Sequence, residues 1–231
     1  MTNPVFCALD TNSVDDAVAL ATQIKPYIGG LKVGLEFFLA NGTAGYRRIA
    51  DLGLPMFLDV KLHDIPNTVA GGIRSLLPLK PQFITIHTSG GPAMMRAAAE
   101  AAATVGPTRP KILGVTVLTS MNDADLTAVG QDADSQNQVV RLAKLAKECG
   151  LDGVICSPAE IKPIREAIAK DFILMVPGIR PAWAASNDQK RVLTPPEAMQ
   201  AGATYLVIGR PITAAANPVE AAARITDELA A

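Results

Sequence analysis

Short apolar runs rich in β-branched residues alternate along the whole chain with longer, alanine-rich amphipathic segments. The apolar runs predict eight strands, at residues 5–9, 31–34, 56–61, 83–87, 112–118, 153–156, 173–176 and 205–208. The amphipathic segments predict eight helices, at residues 14–24, 43–52, 66–79, 92–104, 135–149, 158–169, 195–201 and 218–229. Eight strands, each followed by a helix, predict an α/β fold in which residues 1–231 form a single-domain (β/α)8 TIM barrel.

Capping residues and connection lengths agree with this pattern. Ser13 precedes the first predicted helix, and Ser157 and Thr194 each stand before a proline that suits the first helical position. Two connections are longer than the others, residues 119–134 after the fifth strand and residues 178–191 after the seventh. Because long βα loops on a barrel usually build or cover a site, we expect function at these loops.

The composition suits a buried parallel sheet. Hydrophobic residues make up 49% of the 231 residues and charged residues 19%, whereas aromatic residues are only 4%. We therefore expect an interior built from Ala, Val, Ile and Leu. The net charge of −1 gives no global positive field for nucleic acid or anionic lipid, although local anion sites remain open.

The cysteines and the apolar segments bear on location. Cys7, Cys149 and Cys156 are odd in number and lack CxxC spacing, which favours reduced thiols in the cytoplasm over a disulfide framework or a zinc site. No basic leader with an apolar run is visible at the N-terminus, and no stretch is long and apolar enough to span a bilayer. We expect a cytoplasmic protein without membrane contact.

The densest cluster of ionisable residues lies at the end of the third predicted strand. Side chains alternate along a strand, so Asp59 and Lys61 share a face, with Phe57 deeper on the same face, and Asp64 follows shortly after. Asp59 and Lys61 should therefore touch. Charges near an apolar interior are tolerated where they are compensated or do chemistry, so a strand-end salt bridge and a catalytic pair both remain open.

Other predicted strands also end in polar residues, which should converge at one face of the barrel. In chain order these are Asp10, Lys32, His87, Thr119 with Ser120, Arg180, and Gly209 with Arg210. Glycine and arginine after strands seven and eight suit a phosphate group, which this fold commonly binds at that corner.

Each of these positions also has a structural alternative. Asp10 suits a turn, Lys32 suits a barrel rim with its ammonium group in water, and Arg180 and Arg210 suit surface ion pairs. We interpret His87 as a core or rim residue, because one histidine without a partner cluster makes a poor metal site.

Together these residues resemble the bacterial type of orotidine 5′-monophosphate decarboxylase, and the resemblance covers essentially the whole chain. The family signature Asp-x-Lys-x-x-Asp stands at residues 59–64, followed by Ile-Pro-Asn-Thr at residues 65–68. Further matching motifs are Ala-Leu-Asp at 8–10, Lys-Val-Gly at 32–34, Leu-Thr-Ser at 118–120, Pro-Gly-Ile-Arg at 177–180, Asp-Gln-Lys-Arg at 188–191 and Ile-Gly-Arg-Pro at 208–211.

The resemblance implies a carboxy-lyase that converts orotidine 5′-monophosphate to uridine 5′-monophosphate without cofactor or metal, in the last step of de novo pyrimidine biosynthesis. It implies a catalytic set of Lys32, Asp59, Lys61 and Asp64, with Lys61 as proton donor. It also implies a homodimer in which Asp64 and Thr68 serve the neighbouring site. The remaining implied contacts are Asp10 and Lys32 with ribose, Thr119 and Ser120 with the pyrimidine, and Arg180, Gln189, Gly209 and Arg210 with the phosphate.

Three other functions compete with this reading. A metal-dependent sugar-phosphate decarboxylase or aldolase shares the barrel and the signature, but those relatives carry a metal-binding glutamate where this chain has Lys32. A Schiff-base aldolase needs a neutral lysine, whereas flanking aspartates favour the charged form. A non-catalytic phosphate-binding barrel explains Arg180 and Arg210 but gives the charges at Asp59 and Lys61 no purpose.

Overall fold

Eight parallel strands close into a barrel in chain order, and the last strand pairs with the first. This computed structural model describes residues 3–131, 133–184 and 193–230. The strands are β1 (Val5–Ala8), β2 (Gly30–Val33), β3 (Met56–Leu62), β4 (Phe83–His87), β5 (Lys111–Val115), β6 (Gly153–Ile155), β7 (Ile173–Pro177) and β8 (Tyr205–Ile208). The (β/α)8 barrel predicted from the sequence is confirmed, and all eight predicted strands are present with small shifts at their ends.

Helices surround the barrel between successive strands. The described residues include α1 (Val14–Ile24), α2 (Leu35–Ala50), α3 (Pro66–Leu76), α4 (Gly91–Ala103), α5 (Asp123–Ala128), α6 (Ser135–Glu148), α7 (Ile161–Ala167), α8 (Pro195–Ala201), α9 (Arg210–Thr213) and α10 (Pro218–Ala230). Ser13 caps α1 and Thr194 caps α8, as the sequence predicts. No helix in the described ranges is long and apolar enough to cross a membrane.

The second helix begins eight residues earlier than the predicted start at residue 43. The prediction was wrong there because the pair Asn41-Gly42 is typical of a turn. In the structure Gly42 adopts a left-handed φ of 58° and kinks a helix that continues on both sides. Two short helices, α5 and α9, were also missed, and α5 lies inside the connection predicted after the fifth strand. Asn122 starts it with a capping box that includes Asp125.

An aromatic cluster fills the barrel beneath its C-terminal mouth. The rings of Phe6, Phe57, Phe83 and Tyr205 pack edge to face, with centroids 5.2 to 6.4 Å apart. Gly30 makes room for this packing, because a Cβ atom there would stand 2.2 Å from the Phe6 ring. The expectation of an aliphatic interior is therefore wrong at the barrel centre, where four of the ten aromatic residues meet. The layer between strands and helices is mostly aliphatic but includes buried Phe37, Tyr46 and Phe172.

Candidate active site

A cavity of about 280 Å³ lies at the C-terminal ends of the strands, above the aromatic cluster. Eight of the polar or glycine positions predicted to form a site line this cavity: Asp10, Lys32, Asp59, Lys61, Thr119, Arg180, Gly209 and Arg210. They come from six different strands or the connections that follow them. The predicted convergence of strand ends is therefore observed for these positions.

Four side chains, one just after β1 and three on β2 and β3, form a chain of alternating charge. Lys32 Nζ lies 3.2 Å from Asp10 Oδ1 and 3.6 Å from Asp59 Oδ2, and Lys61 Nζ donates to the same Asp59 oxygen at 2.8 Å. The Asp59 and Lys32 side chains are only 11% and 10% exposed, whereas that of Asp10 is 58% exposed. Asp59 is thus a buried anion held between two ammonium groups, which balances charges that burial alone would disfavour.

The pKa of Asp59 shows which influence dominates. Burial by itself raises the pKa of this carboxyl, but the charges of Lys32 and Lys61, with hydrogen bonds from Lys61 and Thr85, outweigh burial. The result is a pKa below the ordinary 3.8. Asp59 is therefore ionised at neutral pH and available to hold both lysines.

The backbone of β3 is irregular where these charges lie. While β3 advances from Leu58 to Leu62, β4 advances only from Ile84 to Ile86, so the register shifts. Within this bulge Lys61 adopts a left-handed conformation with φ of 48°, which is uncommon for a residue other than glycine. Bulges next to active sites re-aim side chains. This one lets Lys61 reach back to Asp59 although the regular alternation of the strand is broken.

Thr85 on β4 is a member of this cluster that the sequence analysis missed. It is fully buried, its hydroxyl donates to Asp59 Oδ1 at 2.9 Å, and it accepts the Lys61 backbone N–H at 2.9 Å. The alternation of side chains along the strand could have identified Thr85, because Phe83 and Thr85 share one face of β4 and Phe83 points into the barrel. A polar residue on a barrel-facing position two places above Phe83 should be bonded to a neighbour.

The opposite side of the cavity carries the two predicted phosphate-binding arginines. Arg180 follows β7 and is buried, with Nη1 donating to the Ile179 carbonyl at 2.9 Å, and Arg210 begins α9 directly after β8. Gly178, with a left-handed φ of 78°, lies beside them in the cavity wall. Since β7 and β8 are paired neighbours, two guanidinium groups reach one corner that lies across the mouth from Asp59.

The rest of the cavity wall is apolar. It is formed by Phe57, Val115, Ile155 and Val207, with Cys156 at the end of β6. Burial raises the pKa of the Cys156 thiol well above its usual 9.0, so this group is neutral and unsuited to nucleophilic attack. All three cysteines are free and buried, in agreement with the expectation of reduced thiols. Among the described residues no three His, Cys, Asp or Glu side chains lie together as a metal site.

Several predicted site residues lie elsewhere. Asp64 and Thr68 are exposed on the segment after β3, where Asp64 Oδ1 accepts the Ile65 backbone N–H at 2.6 Å, and Ser120 is exposed in a turn next to Thr119. None of the three lines the cavity of its own chain. Gln189 lies outside the described residues.

Two residues outside the charge cluster, His87 and Trp183, have structural contacts. His87 is half-buried at the end of β4, with its ring centroid 5.3 Å from that of His63. Burial lowers the pKa of His87, and neighbouring His63 and Lys61 lower it further, in keeping with a packed rim residue. Trp183, at the start of the connection after β7, donates from Nε1 to Glu228 of α10 at 2.7 Å.

Comparison with known proteins places these residues in context. The model of the orotidine 5′-phosphate decarboxylase / HUMPS family matches residues 3–225. An orotidine 5′-phosphate decarboxylase of Paramagnetospirillum magneticum is 51% identical over 233 residues, covering 99% of each chain. That of Rhodospirillum rubrum is 51% identical over 232 residues, covering 98% of this chain and 94% of the relative. The crystal structure of the Lactobacillus acidophilus orotidine 5′-phosphate decarboxylase is similar with a TM-score of 0.87 and 38% identity, covering 99% of this chain and all of that one.

The charge chain predicts how stability depends on pH. Asp59→Asn should lower the free energy of unfolding at pH 7 by about 3 kcal/mol, because Lys32 and Lys61 lose the anion between them. Since the folded state lowers the pKa of Asp59, its contribution is complete above the ordinary 3.8 and declines as the pH falls through the lowered value. Urea unfolding of both proteins from pH 7 to pH 3 measures this difference.

Asp10→Asn is the matched control, because its exposed carboxylate pairs with Lys32, whereas that of Asp59 pairs with both Lys32 and Lys61. It should change stability much less. An equal loss in both variants, or a difference that stays constant into the acid range, would contradict the assignment.

Proposed function

The chain belongs to the orotidine 5′-phosphate decarboxylase / HUMPS family, and from that premise we propose that it decarboxylates orotidine 5′-monophosphate to uridine 5′-monophosphate in pyrimidine biosynthesis. The observation that carries the proposal is the buried Lys32–Asp59–Lys61 cluster facing an arginine-lined corner across one cavity. The relatives that share about half of its residues over nearly the full length are named for this activity. The free, buried cysteines fit the cytoplasm as its location.

The reaction needs electrostatic help of the kind this cluster can give. When the bond between C6 and the carboxylate breaks, the electron pair stays on C6, which has no neighbouring carbonyl to delocalise it. A fixed ammonium group next to C6 stabilises that charge and then transfers a proton to it. We assign this role to Lys61, which Asp59 holds at 2.8 Å, while Lys32 and Asp59 keep the array charged and oriented. The products are carbon dioxide and the protonated pyrimidine, and one proton is consumed.

Lys32 favours this reaction over the metal-dependent sugar-phosphate chemistry that shares the barrel. Its ammonium group occupies the space between Asp10 and Asp59, which are the carboxylates that a divalent cation would otherwise bridge. A cation cannot ligate a cation, so a magnesium-bound enediolate has no support at this position. Gly34 helps to keep the lysine there, since a Cβ atom at residue 34 would lie 3.0 Å from Lys32 Nζ.

The far corner of the cavity provides an anchor for the 5′-phosphate. Arg180, Gly209 and Arg210 lie together there, and Asp10 stands between this corner and Asp59 in position for ribose hydroxyls. Thr119 lines the wall where the pyrimidine would lie, and we propose Ser120 and Gln189 as further contacts. Phosphate binding remote from C6 can supply energy for orienting and desolvating the reacting centre.

We further propose a homodimer in which Asp64 and Thr68 complete the partner's site. Both residues are exposed and neither lines the cavity of its own chain, and Ile65 between them is 67% exposed. An exposed isoleucine beside a polar signature is typical of a surface that a second subunit covers. A carboxylate arriving there would add a second anion to the Lys61 environment.

The activity itself is tested with purified protein and orotidine 5′-monophosphate in excess chelator, followed by loss of the orotate absorbance. The wild type should convert the substrate, and Lys61→Ala should lower kcat by at least about 1,000-fold. Lys80→Ala is the control. Lys80 is another non-glycine residue with a left-handed backbone, but it lies before the start of β4, whereas Lys61 lies beside the end of that strand. Absence of conversion by folded wild type would refute the proposal, and rescue by magnesium would favour the sugar-phosphate reaction.

The phosphate assignment is tested by comparing two substrates. Arg210→Ala should lower kcat/KM for orotidine 5′-monophosphate by about 100-fold, because a charge-assisted contact is lost. It should leave the slow reaction of the nucleoside orotidine, which lacks the phosphate, nearly unchanged. The free energy of unfolding should change little, since Arg210 is exposed. Equal losses for both substrates, or a matching loss of stability, would show that Arg210 does not bind the phosphate.

The shared site is tested by mixing two impaired variants. Lys61→Ala and Asp64→Asn should each be nearly inactive alone. After unfolding and refolding together, a hybrid dimer holds one site with both defects and one intact site, so about a quarter of wild-type activity should return. If Asp64 acted within its own chain, every site would carry one defect and mixing would restore nothing.

A further inference from the structure

We propose that Thr85 is a positioning residue that sets, with one hydroxyl group, both the orientation of the Asp59 carboxylate and the backbone conformation of Lys61. The inference deepens the proposed function and rests on it for its kinetic consequence. Thr85 lines no part of the cavity, so it would act only through the two residues that it contacts.

The hydroxyl has a fixed role in each of its two hydrogen bonds. It lies 2.9 Å from Asp59 Oδ1 and 2.9 Å from the Lys61 backbone nitrogen, and the residue is 0% exposed. An ionised carboxylate can only accept, so the single hydroxyl proton must point to Asp59. A backbone N–H can only donate, so a lone pair of the same oxygen must face Lys61. Water has no access to replace either bond.

The hydrogen bond from Thr85 gives the two carboxylate oxygens of Asp59 different partners. Oδ1 is occupied by Thr85, which leaves Oδ2 to face both Lys61 at 2.8 Å and Lys32 at 3.6 Å. Without the hydroxyl, the carboxylate is free to turn about its Cβ–Cγ bond, and no single oxygen is kept between the two ammonium groups. Lys61 Nζ would then lose the fixed position that proton transfer to C6 requires.

The bond to Lys61 acts on the backbone. Lys61 stands in the bulge of β3 with φ of 48°, a conformation that is strained for a residue with a side chain. The bulge removes the regular ladder at this point, and the Thr85 side chain supplies an acceptor for the Lys61 N–H in its place. Because threonine is β-branched, its side chain is stiff and resists turning toward another partner.

The experiment compares wild type with Thr85→Val, Thr85→Ser and Thr88→Val. Valine keeps the shape of threonine and removes only the hydroxyl, whereas serine keeps the hydroxyl. Thr88 is the matched control, because it is equally buried and its hydroxyl donates instead to the Val115 carbonyl on β5, at 2.8 Å. Measured quantities are kcat and KM for orotidine 5′-monophosphate, and hydrogen exchange of the Lys61 backbone amide by NMR.

Thr85→Val should lower kcat by about 10- to 100-fold with KM changed less than about 2-fold, since the groups proposed to bind phosphate and ribose are untouched. Its Lys61 amide should exchange much faster than in wild type. Thr85→Ser should restore most of both properties, and Thr88→Val should retain them.

An equal fall of kcat in Thr88→Val, an unchanged kcat in Thr85→Val, or a Lys61 amide still protected in Thr85→Val would overturn the inference. Wild type that fails to decarboxylate would overturn the proposed function alone. The Lys61 amide would then still decide whether Thr85 fixes that backbone, because its exchange does not depend on turnover.

Discussion

The Asp59 carboxylate is the contact on which the rest of the site depends. It accepts hydrogen bonds from the Thr85 hydroxyl on β4 and from the Lys61 ammonium group on its own strand. It also forms an ion pair with the Lys32 ammonium group on β2. Buried Lys32 and partly exposed Lys61 would repel each other without it, and a buried aspartate alone would draw a proton instead of staying charged. Only the three strands held at the fixed spacing of a closed barrel make the set stable as a whole.

The sequence predicts the barrel well because a buried parallel strand must be apolar and a covering helix must be amphipathic. It also predicts the charged residues of the cavity lining, since polar residues that end parallel strands have only one place to meet. The left-handed conformation of Lys61 could not be predicted, because lysine carries no preference for it and the bulge arises from pairing with β4. Thr85 was missed for a related reason. Its importance lies in its hydrogen bonds to residues on another strand. In the sequence, one threonine in an apolar run indicates only that the run favours a β-strand.

Family membership alone does not select one reaction, because the matching model carries two names, orotidine 5′-phosphate decarboxylase and HUMPS. The residues of the cavity narrow that choice. A lysine at position 32, seated between two carboxylates, replaces the metal that an enediolate would need with a permanent cation built into the chain. In this chain the positive charge between the two carboxylates is thus carried by a side chain.

The aromatic cluster under the cavity limits how molecules enter and leave it. Phe6, Phe57 and Phe83 are each only 1% exposed and pack against one another across the barrel axis, so they close the passage toward the N-terminal end. A molecule that binds above them must arrive and depart through a single opening. Carbon dioxide formed at the floor would therefore share its exit with the much larger nucleotide that lies over it. Both products then leave at the face of the barrel where the strands end.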